Sequence, residues 1–285
     1  MPKKFWAFKK LQDKPKIKER RNKMENKEDF ENNIILKLSN ISVKYHTPLK
    51  ETVAIKNLSF NVYNKEFLTI LGPSGCGKST ILSLISKIIP CTNGEITENI
   101  KETGSIQKIG YMLQKDYLFE WRTIEQNVIL GLEIRKKLTE ETKEYAINLL
   151  KKYGLGNFLN HYPYELSGGM RQKVSLIRTL AVKPQILLLD EPFSALDFQT
   201  RLNLSEEVLN IIKNENKTAI LVTHDISEAI SLSDRIIIFS KRPSHVKKNI
   251  KIEFDKKNLS LNEKRKNKKF NKYFDVIWGE LDDKK

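Results

Sequence analysis

The 285-residue sequence predicts an α/β fold in which a mainly parallel sheet core carries an antiparallel β flap and an inserted helical subdomain. Three observations predict it. Short apolar runs, FLTILG (67–72), IGYML (109–113), ILLLD (186–190), TAILVTH (218–224) and RIIIFS (235–240), alternate with stretches of helical spacing, and runs apolar throughout suit strands buried on both faces. The first run leads straight into a glycine-rich loop and then into apolar residues at helical spacing, a strand–loop–helix unit. Between the second and third runs lie only helical patterns.

Taken in chain order, residues 1–32 are charged and turn-rich without sustained periodicity, and read as a disordered basic extension outside the fold. The folded domain is expected over 33–254. ILKLSNISVKY (35–45) and TVAIKNLSFNV (52–62) have the β-rich, half-buried patterning of an antiparallel flap. A helix should start at the glycine loop and run through ILSLISKII until Pro90 stops it. TIEQNVILGLEI (123–134), TEETKEYAINLLKKYG (139–154) and the stretch after Ser167 read as helices, which places the helical subdomain at about 115–182. KKNIKIEF (247–254) reads as a last strand; 255–285 reads as a basic linker and a C-terminal helix, FNKYFDVIWGEL (270–281).

Composition narrows the classes. No apolar run reaches the roughly 18 residues needed to span a bilayer, and the N-terminus lacks the apolar centre of a secretory signal. A cytoplasmic location is therefore expected. Cys76 and Cys91 form no CxxC pair and read as reduced, unpaired thiols. The net charge of +16 sits mostly at the ends: residues 1–30 hold 11 Lys/Arg against 5 Asp/Glu, and residues 241–285 hold 15 against 7. Charge confined to the ends is read as solvated surface, with attraction to anionic lipid or RNA as the other possibility. Phe5, Trp6, Phe8 and Leu11 among lysines would suit a weak interfacial anchor.

The loop Gly72-Pro73-Ser74-Gly75-Cys76-Gly77-Lys78-Ser79-Thr80 fits the phosphate-binding template G-x-x-x-x-G-K-[ST]. Glycines let backbone N–H groups converge on one anionic volume, Lys78 adds charge at the β and γ phosphates, Ser79 offers a hydroxyl to Mg²⁺, Thr80 helps hold the phosphates, and the helix points its positive end at them. Asp190, at the end of ILLLD, can hold Mg²⁺ through water. Glu191 follows it as the candidate general base for an attacking water. Gln114 and His224 end two further strands; a side-chain amide can reach metal or water, and a ring N–H can contact the γ phosphate. Ser167, Gly168 and Gly169 precede a helix whose free amides make either a second anion site or a plain N-cap. Cys76 is expected to have no catalytic role, and its alkylation to block ATP binding by bulk.

With the loop at 72–80, the run LSGGMRQ (166–172) resembles the signature of ATP-binding cassette (ABC) ATPases, and the resemblance covers about residues 34–250. It implies a P-loop fold of ABC type with ATP and Mg²⁺. It also implies a head-to-tail pair of nucleotide-binding subunits, a homodimer by expectation, in which Ser167, Gly168 and Gly169 cap the partner's ATP. In that family a glutamine and a histidine stand where Gln114 and His224 do, metal contact included for Gln114. Asp197, in SALD, resembles the aspartate linking the two sites. Tyr45 resembles the adenine-stacking aromatic, although a half-buried strand tyrosine reads nearly as well. YMLQKDYLFEWRTIEQNVILGLEI (111–134), SALDFQTRL (194–202) and VTHDISEAI (222–230) resemble importer ATPases for nitrate, aliphatic sulfonates and taurine, with Tyr117 to Arg122 at the membrane subunit. Glu120 stands where many relatives have proline, and Lys173 where arginine is usual. The implied partners are transmembrane permease subunits and, indirectly, an external solute-binding protein, with the ATPase peripheral on the cytoplasmic face. The contrasting readings are a soluble ABC ATPase acting on ribosome or nucleic acid, which usually carries two cassettes or a coiled-coil insertion absent from this sequence, and an exporter ATPase.

Overall fold

A computed structural model describes residues 33–47, 50–100, 108–256 and 259–282; the basic extension at 1–32 and its aromatic anchor lie outside the described residues. The first sheet is the expected flap with one strand more. β1 (Ile34–Thr47) pairs antiparallel with β2 (Lys50–Tyr63) on one side and with β4 (Asn93–Glu98) on the other. The sequence NGEITE has little apolar content to mark β4 as a strand. Gly94 fixes its entry, because a Cβ there would lie 2.5 Å from the Asn40 carbonyl oxygen, and its φ is +93°.

The second sheet has the order β5 (Ile109–Met112), β6 (Ile186–Asp190), β7 (Thr218–Val222), β3 (Phe67–Leu71), β8 (Arg235–Phe239), β9 (Val246–Lys251). All its pairings are parallel except β8 with β9. Strand alternation sends Leu187, Leu189, Ala219 and Leu221 into one apolar cluster and Ile186, Leu188, Ile220 and Val222 into another, on the opposite face. All of them are essentially inaccessible. A fully buried aliphatic side chain of this kind contributes about 1.5–3 kcal/mol, so the central strands are the most firmly held part of the fold.

The first cluster is closed by α2 (Ile124–Ile134), α3 (Glu140–Lys152), α4 (Gly168–Ala181) and α5 (Phe198–Asn214); the second by the flap and α1 (Lys78–Ile85). Helices α2 to α4 all fall between β5 and β6, as the sequence predicts. Helix α1 ends earlier than Pro90: Ser86 donates its N–H to the Leu82 carbonyl, and Lys87 turns left-handed at φ +61°. Ile88, expected on the helix, is exposed.

A third cluster joins α6 (Ile226–Leu232) to α8 (Lys268–Leu281) through Ile230, Phe270 and Ile277. The stretch expected to be linker contains α7 (Leu261–Lys266), opened by a capping box between Ser260 and Glu263. Leu261 is buried in the main core, and Lys264 Nζ donates to the Ser231 carbonyl at the end of α6, 2.7 Å away. Lysine-rich composition hid this helix; its cap pattern was the available signal.

Helix α4 also grips the loop that leaves β5. Arg178 donates to the carbonyls of Asp116 and Tyr117 at 2.6 and 2.8 Å, and Arg171 Nε lies 3.2 Å from the Asp116 carboxylate. The rest of that loop winds around one buried side chain. Asn127 Nδ2 donates to the carbonyls of Phe119, Arg122 and Thr123, and its Oδ1 accepts from the Phe119 N–H. Trp121, by contrast, is 73% exposed. Asn127→Ala should lower stability by about 1–3 kcal/mol, because it strands three partly buried loop carbonyls. Urea unfolding that shows no change would mean the loop does not rely on this amide.

Candidate functional site

Strands β3, β6 and β7 run parallel, so their carboxyl ends open onto one edge, and most of the predicted site residues lie there. β3 delivers Gly72. Gly75 and Gly77 take φ of +74° and +110°, turning the chain back so that α1 begins directly behind the loop. Lys78 is 7% exposed and folds over the loop, donating through Nζ to the Gly72 and Pro73 carbonyls at 2.8 and 3.1 Å. The loop frames a cavity of about 220 Å³ lined by Ser74, Gly75, Gly77, Lys78, Ser79, Thr80, Glu191 and Arg242. Amides at a helix start and a lysine make this space suited to a polyanion.

Asp190 ends β6 as the only partly exposed residue of that strand. Its Oδ1 accepts from the Ser79 hydroxyl and its Oδ2 from the Tyr111 hydroxyl, both at 3.2 Å. Burial pushes the Asp190 carboxyl above its ordinary value, and these two donors pull it back. Burial, with Asp190 alongside, raises the Tyr111 phenol well above its usual range, so that it stays a donor. A hydroxyl and a carboxylate converging in this way are hard oxygen donors of the kind Mg²⁺ takes, one or two from protein and the rest from phosphate and water. Ser79 and Asp190 therefore fit the ion.

Glu191 is held in the left-handed region at φ +45°, with its N–H donating to the Val222 carbonyl at 2.9 Å. Such a conformation costs a non-glycine residue about 1 kcal/mol or more, and here it turns the side chain into the cavity. His224 Nδ1 lies 3.1 Å from the Glu191 carboxylate. Gln114 Nε2 donates to Ser194 Oγ at 3.1 Å, and Ser194 Oγ donates to the Glu191 carbonyl at 3.0 Å, which leaves Gln114 Oε1 as its acceptor. Tyr45, 41% exposed, has its hydroxyl 3.2 Å from Thr80 Oγ1 at the start of α1.

Comparison with known proteins agrees in family. Residues 55–194 match the ABC transporter family. The chain is 44% identical over 247 residues to the uncharacterized ABC transporter ATP-binding protein YtlC of Bacillus subtilis (strain 168), covering 86% of this chain and 95% of that one. It is 41% identical to the glycine betaine/carnitine/choline transport ATP-binding protein OpuCA of the same organism, over 72% of this chain and 55% of OpuCA. With the taurine import ATP-binding protein TauB of Yersinia pestis bv. Antiqua (strain Antiqua) it shares 38%, over 70% of this chain and 79% of TauB. In three dimensions it resembles a dimeric post-hydrolysis state of the ATP-binding cassette MJ0796 bound to ADP and Pi, with a TM-score of 0.65, 32% identity, and coverage of 77% of this chain and 99% of that one.

The chain belongs to the ABC transporter ATP-binding family. It is therefore an ATP-binding ATPase of the kind that hydrolyses ATP to power transport. Among the described residues no helix is long and apolar enough to cross a membrane.

Two groups of predicted residues stand apart both from the cavity of this ABC cassette and from the side chains bonded to its lining. Ser167 caps α4, accepting from the Met170 N–H at 3.3 Å, with Gly168 and Gly169 in the first turn. Asp197 caps α5 by accepting from the Thr200 N–H at 3.0 Å, which holds its carboxyl below the usual range. Neither group lines the cavity at Gly72–Thr80. Three residues at the site were missed from sequence: Tyr111, inside the apolar run IGYML; Ser194, which lies in the SALD run; and Arg242, in the loop between β8 and β9.

Cys76 changes an expectation. Its side chain is 2% exposed and joins the apolar cluster behind the loop, and burial raises its thiol above the ordinary value. A native-state alkylating reagent should modify Cys91 and spare Cys76, with ATP binding retained; rapid labelling of Cys76 measured by peptide mass would contradict this placement.

Glu228, one turn beyond His224, is buried and its Oε1 has no hydrogen-bond partner among the described residues. Burial pushes its carboxyl from 4.5 up to about 7; a Thr223 hydrogen bond, Arg201 and His224 oppose that rise, and Asp225 adds to it. The folded protein therefore keeps a proton that the unfolded chain releases above about pH 4.5, so stability should fall as pH rises towards about 7 and then level, by a few kcal/mol in total. Glu228→Gln should flatten that slope; melting curves at pH 5 and 7.5 that keep the wild-type difference would exclude Glu228 as its source.

Proposed function

We propose that this chain is the ATP-hydrolysing subunit of an importer for a small solute of the nitrate, sulfonate and taurine class. The observation that carries the chemistry is the convergence of Lys78, Ser79, Asp190, Glu191 and His224 at one sheet edge. ATP lies with its phosphates on the amides of Gly72 to Thr80 and its adenine against Tyr45. Ser79 and Asp190 would hold Mg²⁺, which when bound neutralises charge on the phosphates. Gln114 would offer its Oε1 to that ion or to the attacking water. Glu191 takes the proton as water attacks the γ phosphorus, leaving ADP and phosphate, and His224 orients the carboxylate and contacts the γ phosphate.

In this reading a second copy completes the site. Ser167, Gly168 and Gly169 cap the partner's ATP, and Asp197 joins the two sites. The segment Tyr117 to Arg122, which exposes Tyr117 and Trp121, meets a transmembrane permease subunit, and its grip by Arg178 and Arg171 passes closure from α4 to that contact. The ATPase unit spans 33–254, with 255–285 as a basic C-terminal region, and the subunit sits peripherally on the cytoplasmic face. An external binding protein delivers the solute. The importer assignment is supported by the likeness to TauB and by the segments around Gln114, Asp197 and His224; the solute class rests on those same resemblances.

Glu191→Gln should retain ATP binding and lose about 10²- to 10⁴-fold in turnover, the usual contribution of a positioned base. Purified with ATP from detergent-solubilised membranes of its own cell, this variant should bring a multi-spanning permease subunit. Near wild-type turnover would remove Glu191 as the base. Ribosomal proteins or nucleic acid in place of a permease would overturn transport, and a co-purified binding protein that prefers a quaternary amine to taurine or nitrate would overturn the solute class.

A further inference from the structure

We infer that Arg242 is a second cation of the nucleotide site, contacting the phosphate chain of ATP alongside Lys78. The sheet order brings it there. β3 and β8 are parallel neighbours, with Leu71 in register with Ile238, so the phosphate-binding loop and the loop at 240–245 leave adjacent strands at the same edge. They lie close together: a Cβ on Gly72 would come 3.1 Å from Cβ of Phe239 at the end of β8, and one on Gly77 would come 3.6 Å from Ser244 Oγ.

The 240–245 loop is held at both ends. Ser244 is fully buried; its N–H donates to the Ala54 carbonyl at 3.0 Å, and its own carbonyl accepts from the Lys56 N–H at 3.0 Å. Across the loop, the Ser240 N–H donates to the His245 carbonyl and the His245 N–H to Ser240 Oγ, each at 3.1 Å. Arg242 is thus presented from a pinned turn. Its side chain lines the same cavity as Ser74, Gly75, Lys78 and Glu191, and its charge is felt at Cys76 inside the loop.

The charges also call for it. Lys78 Nζ already donates to two loop carbonyls, and Glu191 adds a negative charge to the cavity wall. Among the described residues the Arg242 guanidinium has no hydrogen-bond or ion-pair partner, although five N–H donors in a planar fork match phosphate oxygens. A cation facing a cavity of amides, without a carboxylate of its own, is placed for an incoming anion.

This inference rests on the phosphate placement proposed above, and the test separates the two. Mg²⁺ with a non-hydrolysable ATP analogue is titrated calorimetrically into the full chain and into the single variants Arg242→Ala, Arg242→Lys, Lys241→Ala and Lys78→Ala. Arg242→Ala should weaken binding about ten-fold, as loss of a charge-assisted phosphate contact does. Arg242→Lys should recover part of the loss, and Lys241→Ala, which removes a charge one residue away, should change affinity less than about two-fold. An Arg242→Ala affinity within two-fold of wild type, while Lys78→Ala binds poorly, overturns the inference and leaves the phosphate site standing. Equal losses from Arg242→Ala and Lys241→Ala also overturn it, because they mean a general field rather than a contact. If Lys78→Ala binds normally, the phosphate placement itself fails. Matching melting temperatures for all variants keep a folding defect from imitating the result.

Discussion

The parallel pairing of β3 with β7 and of β7 with β6 is the constraint on which the site depends. Parallel strands put all their carboxyl ends on one edge, and burial on both faces keeps those ends from sliding, since a one-residue slip would turn Leu187, Leu189 or Leu221 out of its cluster. Residues far apart in sequence, Lys78, Asp190, Glu191 and His224, meet because each follows or ends a strand in that register. The chemistry inherits its geometry from aliphatic packing.

Polar contacts then refine the edge. The Asp190 carboxylate is shared between Ser79 and Tyr111, which ties the loop, β6 and β5 together through one side chain. Glu191 is carried in a left-handed turn whose cost the surrounding sheet sustains, and Ser194 links its backbone to the Gln114 amide. A change at the Gln114 end of β5 therefore reaches Glu191 through two hydrogen bonds. On the other side the 240–245 loop, pinned by buried Ser244, brings a cation to the same space.

Helix α4 connects this edge to the outer surface. Its first turn holds Ser167 to Gly169, while Arg171 and Arg178 clasp the Asp116–Tyr117 backbone, and Asn127 shapes the turn that displays Trp121. The helix is anchored in the largest apolar cluster among the described residues, so one element carries both its N-terminal turn and the clasp on that exposed turn. Helices α7 and α8 similarly brace α6, which follows His224.

Much of this was legible in the sequence. Apolar runs marked the core strands, glycines and Lys78 marked the phosphate loop, and LSGGMRQ marked the family, because each is a local pattern with a local cause. The polar strand β4, the lysine-rich helix α7 and the early end of α1 were not legible, since pairing with β1, burial of Leu261 and a left-handed Lys87 have no apolar period to announce them. Tyr111, Ser194 and Arg242 were likewise hidden: an isolated tyrosine, serine or arginine is ordinary until something places it against a carboxylate, an amide or a cavity. The sequence by itself determined which chemical groups the protein carries and which strands bear them. Only the tertiary structure decided which of those groups meet, because register and strand order, set by burial across the whole sheet, bring together residues that no local spacing connects.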